Sequence, residues 1–341
     1  MKIISTDDVF DLMESTVTSA ALNTALELGL FWLLAEQPMD TTGIAQTLGI
    51  PVNRCQYWLQ LLSNIGLVEQ SSEGYVPSSV AQNAILKAFS RESWAFLAEE
   101  TRDRFLAVND LALHIREIGS AWAAQGLTSP DYFAQISQSP EKASRFTRML
   151  FEIHLPLAER VAESLDLRGV NRLMDLGGGS GVISLALLRR NPHLSVTVVD
   201  IASVCEVGRA IAAENSLEDR ITYHPADFLR EELPSGFDMV LSCDVGPLSE
   251  TLFLKIRAAL NRGGRLVIID QFAPNEGVAP SSWLYWAFLA SLENPDFTLP
   301  TETEVQKRLK KAGFQLLSIH PLPQAAVRRW SSDLVLMETR K

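Results

Sequence analysis

Asp175, Gly177, Gly179 and Gly181 fall at the spacing Asp-x-Gly-x-Gly-x-Gly, between an apolar run from Arg172 and a helical pattern from Val182. Glycines without Cβ let a chain turn with positive φ and let a ligand lie against bare peptide. A helix N-terminus adds unpaired N–H groups aimed at polar ligand atoms. The chemistry such a stretch supports is capture of a nucleoside-type ligand. The dinucleotide fingerprint Gly-x-Gly-x-x-Gly/Ala fits imperfectly, because counted from Gly177 its third small position is Val182, and counted from Gly179 it is Ser184.

Two further runs end in acids. Leu194–Asp200 is β-branched and closes on a carboxylate, and the run from Arg220 closes on Asp227-Phe228. An acid at the tip of the second strand can accept both hydroxyls of a ribose. Three side chains remain as candidates for proton chemistry. His154 lies three residues after Phe151, hence on the same face of the helix before the glycine turn. Asp270 closes a strand, where it can accept a proton, orient a substrate hydroxyl or cap a loop. Cys243 would need a lowered pKa to react, and no cation stands near it in sequence. His114, His193, His224 and His320 read as structural or surface residues.

These residues need a parallel sheet to bring them together. Strands are expected at Arg172–Asp175, Leu194–Asp200, Arg220–Pro225, Met239–Asp244 and Arg265–Asp270, with helices between the first ones. Open sheets of this type bind ligands at the carboxyl ends of their strands. Thr301 and Glu304 have capping-box spacing for a helix ending at Gly313. Gln315–Ile319 and Asp333–Glu338 then read as a closing hairpin.

The front of the chain is different. Residues 6 to 36 carry helical periodicity, with Gly29 placed to end the first helix. Its outer edge is rich in apolar residues, which points to a protein partner, most simply a second copy of the chain. Asp40 can cap a short helix that Gly49 ends, Pro51 opens the next, and Gly66 to Pro77 reads as a small hairpin. Helix, turn, helix and hairpin make a winged helix, which alone would suggest a DNA-binding regulator. The second helix, however, carries only Arg54 as a basic residue among large apolar side chains. Between the two parts, Trp94, Phe96, Phe105, Trp122, Tyr132 and Phe133 mark a helical middle rich in aromatics.

The 341 residues suffice for two domains, and 47% apolar with 21% charged residues is ordinary for a globular chain. A net charge of −11 argues against sequence-independent nucleic-acid binding. The three cysteines have no metal-ligand spacing and suit a reducing cytoplasm, so no metal site is expected. No signal peptide is read at the start, and no apolar run reaches the length of a membrane span.

The Asp175–Gly181 stretch resembles motif I of the class I S-adenosylmethionine-dependent methyltransferases. With the winged-helix front and the helical middle, nearly the whole chain resembles the small-molecule O-methyltransferases of the caffeate, hydroxyindole and polyketide-tailoring type. The resemblance implies an α/β fold: a Rossmann-like seven-stranded methyltransferase domain (residues 169–341) preceded by an all-helical, winged-helix dimerisation domain (1–95), with a helical linker and substrate-pocket region (96–168). It implies S-adenosylmethionine as cofactor, held by Asp175, Gly177, Gly179, Gly181, Asp200, Ile201, Asp227, Phe228 and Ser242. It also implies a homodimer and an aromatic small-molecule substrate, which Phe151, Trp283 and Trp286 would contact in the segment Trp283–Phe288 and the helix before motif I.

One departure from the family pattern bears on the chemistry. Where the family's O-methyltransferases carry a His-Asp pair after the fourth strand, whose histidine deprotonates the substrate, this chain reads Cys243-Asp244. Asp270 is kept from the acids that hold that histidine, and the second is replaced by Leu299-Pro300. His154, Asp270 and Cys243 are therefore the candidate catalytic residues, with methylation at oxygen expected. The segment Phe151–His154 also resembles the bacteriochlorophyllide C-20 methyltransferase branch, which leaves carbon methylation of a planar macrocycle open. Loss of the base would equally suit a relative turned to non-methylating chemistry.

Overall fold

The computed structural model describes residues 3–126, 136, 139–274, 283–323 and 333–341. Tyr132 and Phe133 lie outside them. The chain forms two compact units, Met1–Ala112 and Leu113–Lys341.

In the first unit, helix α1 (Thr6–Leu28) starts on a capping box between Ser5 and Asp8 and stops at Gly29, whose φ of 74° is left-handed. Helices α2 (Leu30–Glu36), α3 (Thr41–Leu48) and α4 (Val52–Asn64) follow, then the antiparallel hairpin β1 (Val68–Ser71) and β2 (Gly74–Pro77). The Asp40 carboxylate caps α3 by accepting from Gly43 N at 2.7 Å. Gly74, at φ 135°, is required because a Cβ there would meet the Met39 backbone at 2.5 Å. Leu30, Phe31, Ile44, Cys55, Leu59 and Leu62 form one buried core. The expected boundary at 95/96 falls inside the continuous helix Arg91–Asn109, which belongs to this unit. A break there would cut an unbroken hydrogen-bond ladder, so the helical middle is shared between the two units instead of standing as a third region.

The second unit is a seven-stranded sheet in the order β5-β4-β3-β6-β7-β9-β8. Its strands are β3 (Arg172–Leu176), β4 (Ser195–Asp200), β5 (Ile221–Pro225), β6 (Phe237–Cys243), β7 (Leu260–Asp270), β8 (Gln315–Pro321) and β9 (Val335–Arg340). The first five run parallel and the last two form the antiparallel closing hairpin. The chain builds outward from β3 to β5 and then crosses to the far side of β3 for β6. That reversal opens a crevice at the tips of β3 and β6.

Two apolar layers sandwich this sheet. One contains Leu173, Val196, Val198, Leu241 and Ile269 with helices Pro140–Ser164, Val182–Arg190 and Ala202–Glu214. The other contains Met174, Val199, Val240, Ile268 and Phe253. Helix Val182–Arg190 is buried from Val182 through Leu188, because it lies under the long helix as well as on the sheet. Among the described residues no single helix is long and apolar enough to cross a membrane, and α1 with α2, bent by 57°, is the one pair that is so only when taken together.

Candidate functional site at the strand tips

The glycine turn is fixed from beneath. Asp175, only 2% exposed, accepts a 2.5 Å hydrogen bond from Ser184 Oγ, and burial pushes its carboxyl up to about 6. A Cβ on Gly178 would meet Asp175 Cγ at 2.4 Å, so the carboxyl fills the space under that residue. Asp175 therefore shapes the turn and does not present a carboxylate to a ligand. A Cβ on Gly177 would meet Val245 Cγ1 at 2.6 Å, and one on Gly181 would meet the Tyr223 hydroxyl at 2.4 Å. Tyr223 donates that hydroxyl to Ser180 O at 2.9 Å, locking the turn from β5. Gly179 is different: at φ 58° its Cβ position points into open space. Such a cradle would let a ligand's edge lie against bare peptide.

Asp200 stands directly beside this cradle. Its carboxylate accepts from Gly179 N at 2.9 Å and from Ile201 N at 2.7 Å, while burial pushes its pKa to about 6. Ile201 is half-buried against Val204 and Ala143. Asp227 is half-buried, with Oδ1 accepting from Leu229 N at 3.0 Å and Oδ2 in an ion pair with Arg230 Nε at 3.6 Å. Phe228 and Ser242 are 5% and 2% exposed. Phe228 packs into the apolar layer with Leu252 and Phe253, so its ring supports the strand tips from within. Ser242 is paired to Leu176 and Ile268 in the middle of the sheet.

On the other side of the crevice, β6 and β7 end side by side. Cys243 is in register with Ile269, and Asp244 donates its N–H to Ile269 O at 2.9 Å, which sets Asp244 next to Asp270. Asp244 has φ 54°, the left-handed region that aspartate tolerates better than most side chains. Burial pushes its carboxyl up and His154 pulls it back, although the residue keeps accessible surface. His154 is half-buried in the same sense: burial lowers the imidazole's pKa while Asp244 opposes. Asp270, 8% exposed, is pushed up to about 8 by burial and by Asp244, and accepts from Gln271 N at 2.7 Å.

Cys243 lies in the middle of these acids. Burial and the charges of Asp244, Asp175 and Asp270 raise its thiol well above the ordinary value, with only Arg160 opposing. It stays a thiol, which removes the chemical basis for it as a base or nucleophile. Phe151 packs on the apolar layer of the sheet. Trp283 and Trp286 face one another with ring centroids 6.2 Å apart at the start of the helix Leu284–Glu293, whose Leu284, Tyr285, Trp286 and Phe288 are exposed. Among the described residues this helix packs on the short helix Ala121–Ala124.

The sequence reading missed three contributors. Ser184 and Tyr223 build the turn, and neither has a local signal, since a serine in a buried helix and a tyrosine in a strand are ordinary. Asp244 had one: it follows Cys243 at the very position where the chain departs from the family pattern. Among the described residues no group of acids, histidines and cysteines could hold a metal ion.

The sheet order, the glycine turn and the strand-tip acids define a class I methyltransferase-type fold. Residues 109–315 match the O-methyltransferase domain, and residues 10–85 the O-methyltransferase dimerisation domain. The chain is 30% identical over 282 residues to the 3-hydroxy-5-methyl-1-naphthoate 3-O-methyltransferase of Streptomyces sahachiroi, covering 79% of this chain and 78% of that one. It is 29% identical over 257 residues to an N,N-dimethyltransferase of Streptomyces rimosus, covering 73% and 74%. Human N-acetylserotonin methyltransferase, solved in complex with S-adenosylmethionine, superposes with a TM-score of 0.80 at 20% identity, covering 100% of this chain and 98% of that one. This protein belongs to the O-methyltransferase family.

Proposed function

We propose that this protein transfers a methyl group from S-adenosylmethionine to a hydroxyl of an aromatic or polycyclic small molecule, acting as a homodimer. The observation that carries the cofactor reading is the union of Asp200 with Gly179: an acid at the tip of β4 fixed to the one motif glycine with open space before it. That arrangement suits the ribose hydroxyls and the close edge of an adenosyl group. Asp227 at the tip of β5, with Ile201 beside it, fits the base end. When bound, the cofactor would supply an electrophilic methyl on a sulfonium. The catalysis left to the protein is positioning, exclusion of water and removal of one proton.

For that proton we assign His154, with Asp244 facing it. Burial keeps the imidazole neutral near pH 7, so its free nitrogen can accept a proton, and the adjacent carboxyl stabilises the imidazolium that results. Asp270, held protonated into the neutral range, is a donor to a substrate oxygen instead of a base. The aromatic substrate class is supported by the naphthoate methyltransferase among the relatives. The dimer is supported by the dimerisation-domain match and by the exposed apolar residues of α1.

The test is incubation with S-adenosylmethionine and a panel of hydroxynaphthoates and related phenols, following S-adenosylhomocysteine and methylated product together. Equal amounts of the two support methyl transfer. Turnover of a substrate without S-adenosylhomocysteine overturns it in favour of non-methylating chemistry. The His154→Asn variant should lower kcat/KM by roughly a hundredfold or more and abolish the acid limb of the pH profile. If it weakens S-adenosylhomocysteine binding and leaves the profile unchanged, His154 holds the cofactor and is not the base.

A further inference from the structure

The turn that follows β5 is gripped by a lysine from another part of the sheet. Lys255 stands on the helix Glu250–Ala259, between β6 and β7. Its ammonium donates to Phe228 O at 3.3 Å, Leu229 O at 2.9 Å and Glu231 O at 2.9 Å. An ammonium has three N–H groups, and each is met by a carbonyl here. Bonds with a charged donor are about twice as strong as neutral ones, which offsets the entropy lost in ordering a long stem.

The same turn closes around Asp227. Glu231 Oε1 accepts from Asp227 N at 2.7 Å, while Asp227 O accepts from Arg230 N at 2.9 Å and Glu231 N at 2.7 Å. The Asp227 carboxylate accepts from Leu229 N at 3.0 Å. The ring of Phe228 is buried with Leu252 and Phe253, which belong to the lysine's own helix. Farther on, Gly236 N donates to Ala259 O at 2.9 Å, at the end of that helix. The residue after Asp227 is therefore fixed at its ring and at its carbonyl, and the loop returns to the same helix before β6 begins.

This inference rests on the cofactor reading above, in which Asp227 meets the base end. Adenine presents an exocyclic amine as donor, and a carboxylate only accepts. A hydrogen bond weakens steeply with misalignment, so base selection needs a carboxylate that keeps its place. We propose that Lys255 is a positioning residue for base selection: its ammonium fixes the turn 227–231 so that the Asp227 carboxylate is preset for the adenine amine. Lys255 touches neither cofactor nor substrate in this assignment and acts through Asp227.

The experiment is calorimetric titration of the full-length protein with S-adenosylhomocysteine and S-inosylhomocysteine, whose base carries an oxygen where adenine carries its amine. The parent should prefer the adenosyl ligand by about a hundredfold or more, because the inosyl oxygen leaves the carboxylate without a donor. Lys255→Met keeps the apolar stem and removes the ammonium. It should weaken S-adenosylhomocysteine about tenfold, the loss of a charged hydrogen-bond donor, and leave S-inosylhomocysteine nearly unchanged. Lys255→Arg, which retains the charge and donors, should recover most of the selectivity. In Asp227→Ala the selectivity is already lost, and adding Lys255→Met should change it no further. Because two of the three bonds lie at the surface, the thermal midpoint of Lys255→Met should move by only a few degrees. Equal weakening of both ligands, unchanged selectivity, or an unfolded Lys255→Met chain overturns the proposal and leaves the cofactor assignment standing. A parent that binds both ligands equally overturns the base reading of Asp227 and this proposal with it. A parent that binds neither overturns the cofactor reading as well.

Discussion

Ser184, in the first turn of the helix after the glycines, donates a 2.5 Å hydrogen bond to Asp175 at the end of β3. Both residues are buried, Ser184 completely. The bond ties strand to helix across the turn, and Asp175 in turn occupies the volume beneath Gly178. Removing the donor leaves a buried carboxyl unsatisfied. Ser184→Ala is expected to cost about 1–3 kcal/mol in urea unfolding, and to weaken S-adenosylhomocysteine binding by displacing the turn. An unfolding midpoint equal to that of the parent chain would show that Asp175 finds another partner.

The adjacent glycines should separate stability from binding. A side chain at Gly178 collides with the Asp175 carboxyl at 2.4 Å, whereas one at Gly179 enters open space at φ 58°. Gly178→Ala is expected to destabilise the fold by a few kcal/mol, about the cost of overpacking a rigid core. Gly179→Ala should cost only about 1–2 kcal/mol of backbone strain, yet abolish ligand binding by occupying the cradle. Thermal unfolding and ligand titration of both variants, measured side by side, check the pair.

Stability should fall as pH rises through the neutral range. The Asp270 pKa is about 8 in the fold against an ordinary 3.8, so between those values the unfolded chain binds fewer protons than the folded one. The slope of unfolding free energy against pH is then negative, and it flattens above the folded pKa. Asp175 and Asp200, each at about 6, add to the fall between pH 4 and 6. Urea midpoints of the ligand-free protein should drop steadily from pH 5 to pH 8. In Asp270→Asn the drop above pH 6 should largely vanish; a flat parent curve would contradict the protonated acid.

The first helix predicts assembly. Val9, Phe10, Leu12, Met13 and Val17 are 44–67% exposed along α1. A run of this kind on a lone chain would be a liability in water. Replacing Phe10 and Met13 together by aspartate should convert a dimer to a monomer in light scattering, with little loss of helical signal. A parent chain that already runs as a monomer would refute the dimer.

The sequence by itself settled what depends on local order. Residue types at fixed spacing dictate a glycine turn between Asp175 and Val182, acids at the tips of β4 and β5, the cap at Asp40, and the Thr301–Glu304 capping box, confirmed with Glu304 N donating to Thr301 Oγ1 at 3.2 Å. That the first strands run parallel follows from the alternation of apolar runs and helices, because parallel strands need crossovers between them. What only the tertiary structure decided was which of those residues face outward. Asp175 carries the motif's first letter yet lies beneath the turn, and Phe228 points into the core, because each strand end chooses its face by packing that no neighbour in sequence reveals. The electrostatic influence of Asp244 on His154 links residues ninety positions apart. Burial and three acids delivered by three different segments raise the Cys243 thiol, so its electrostatics exist only once the sheet has closed.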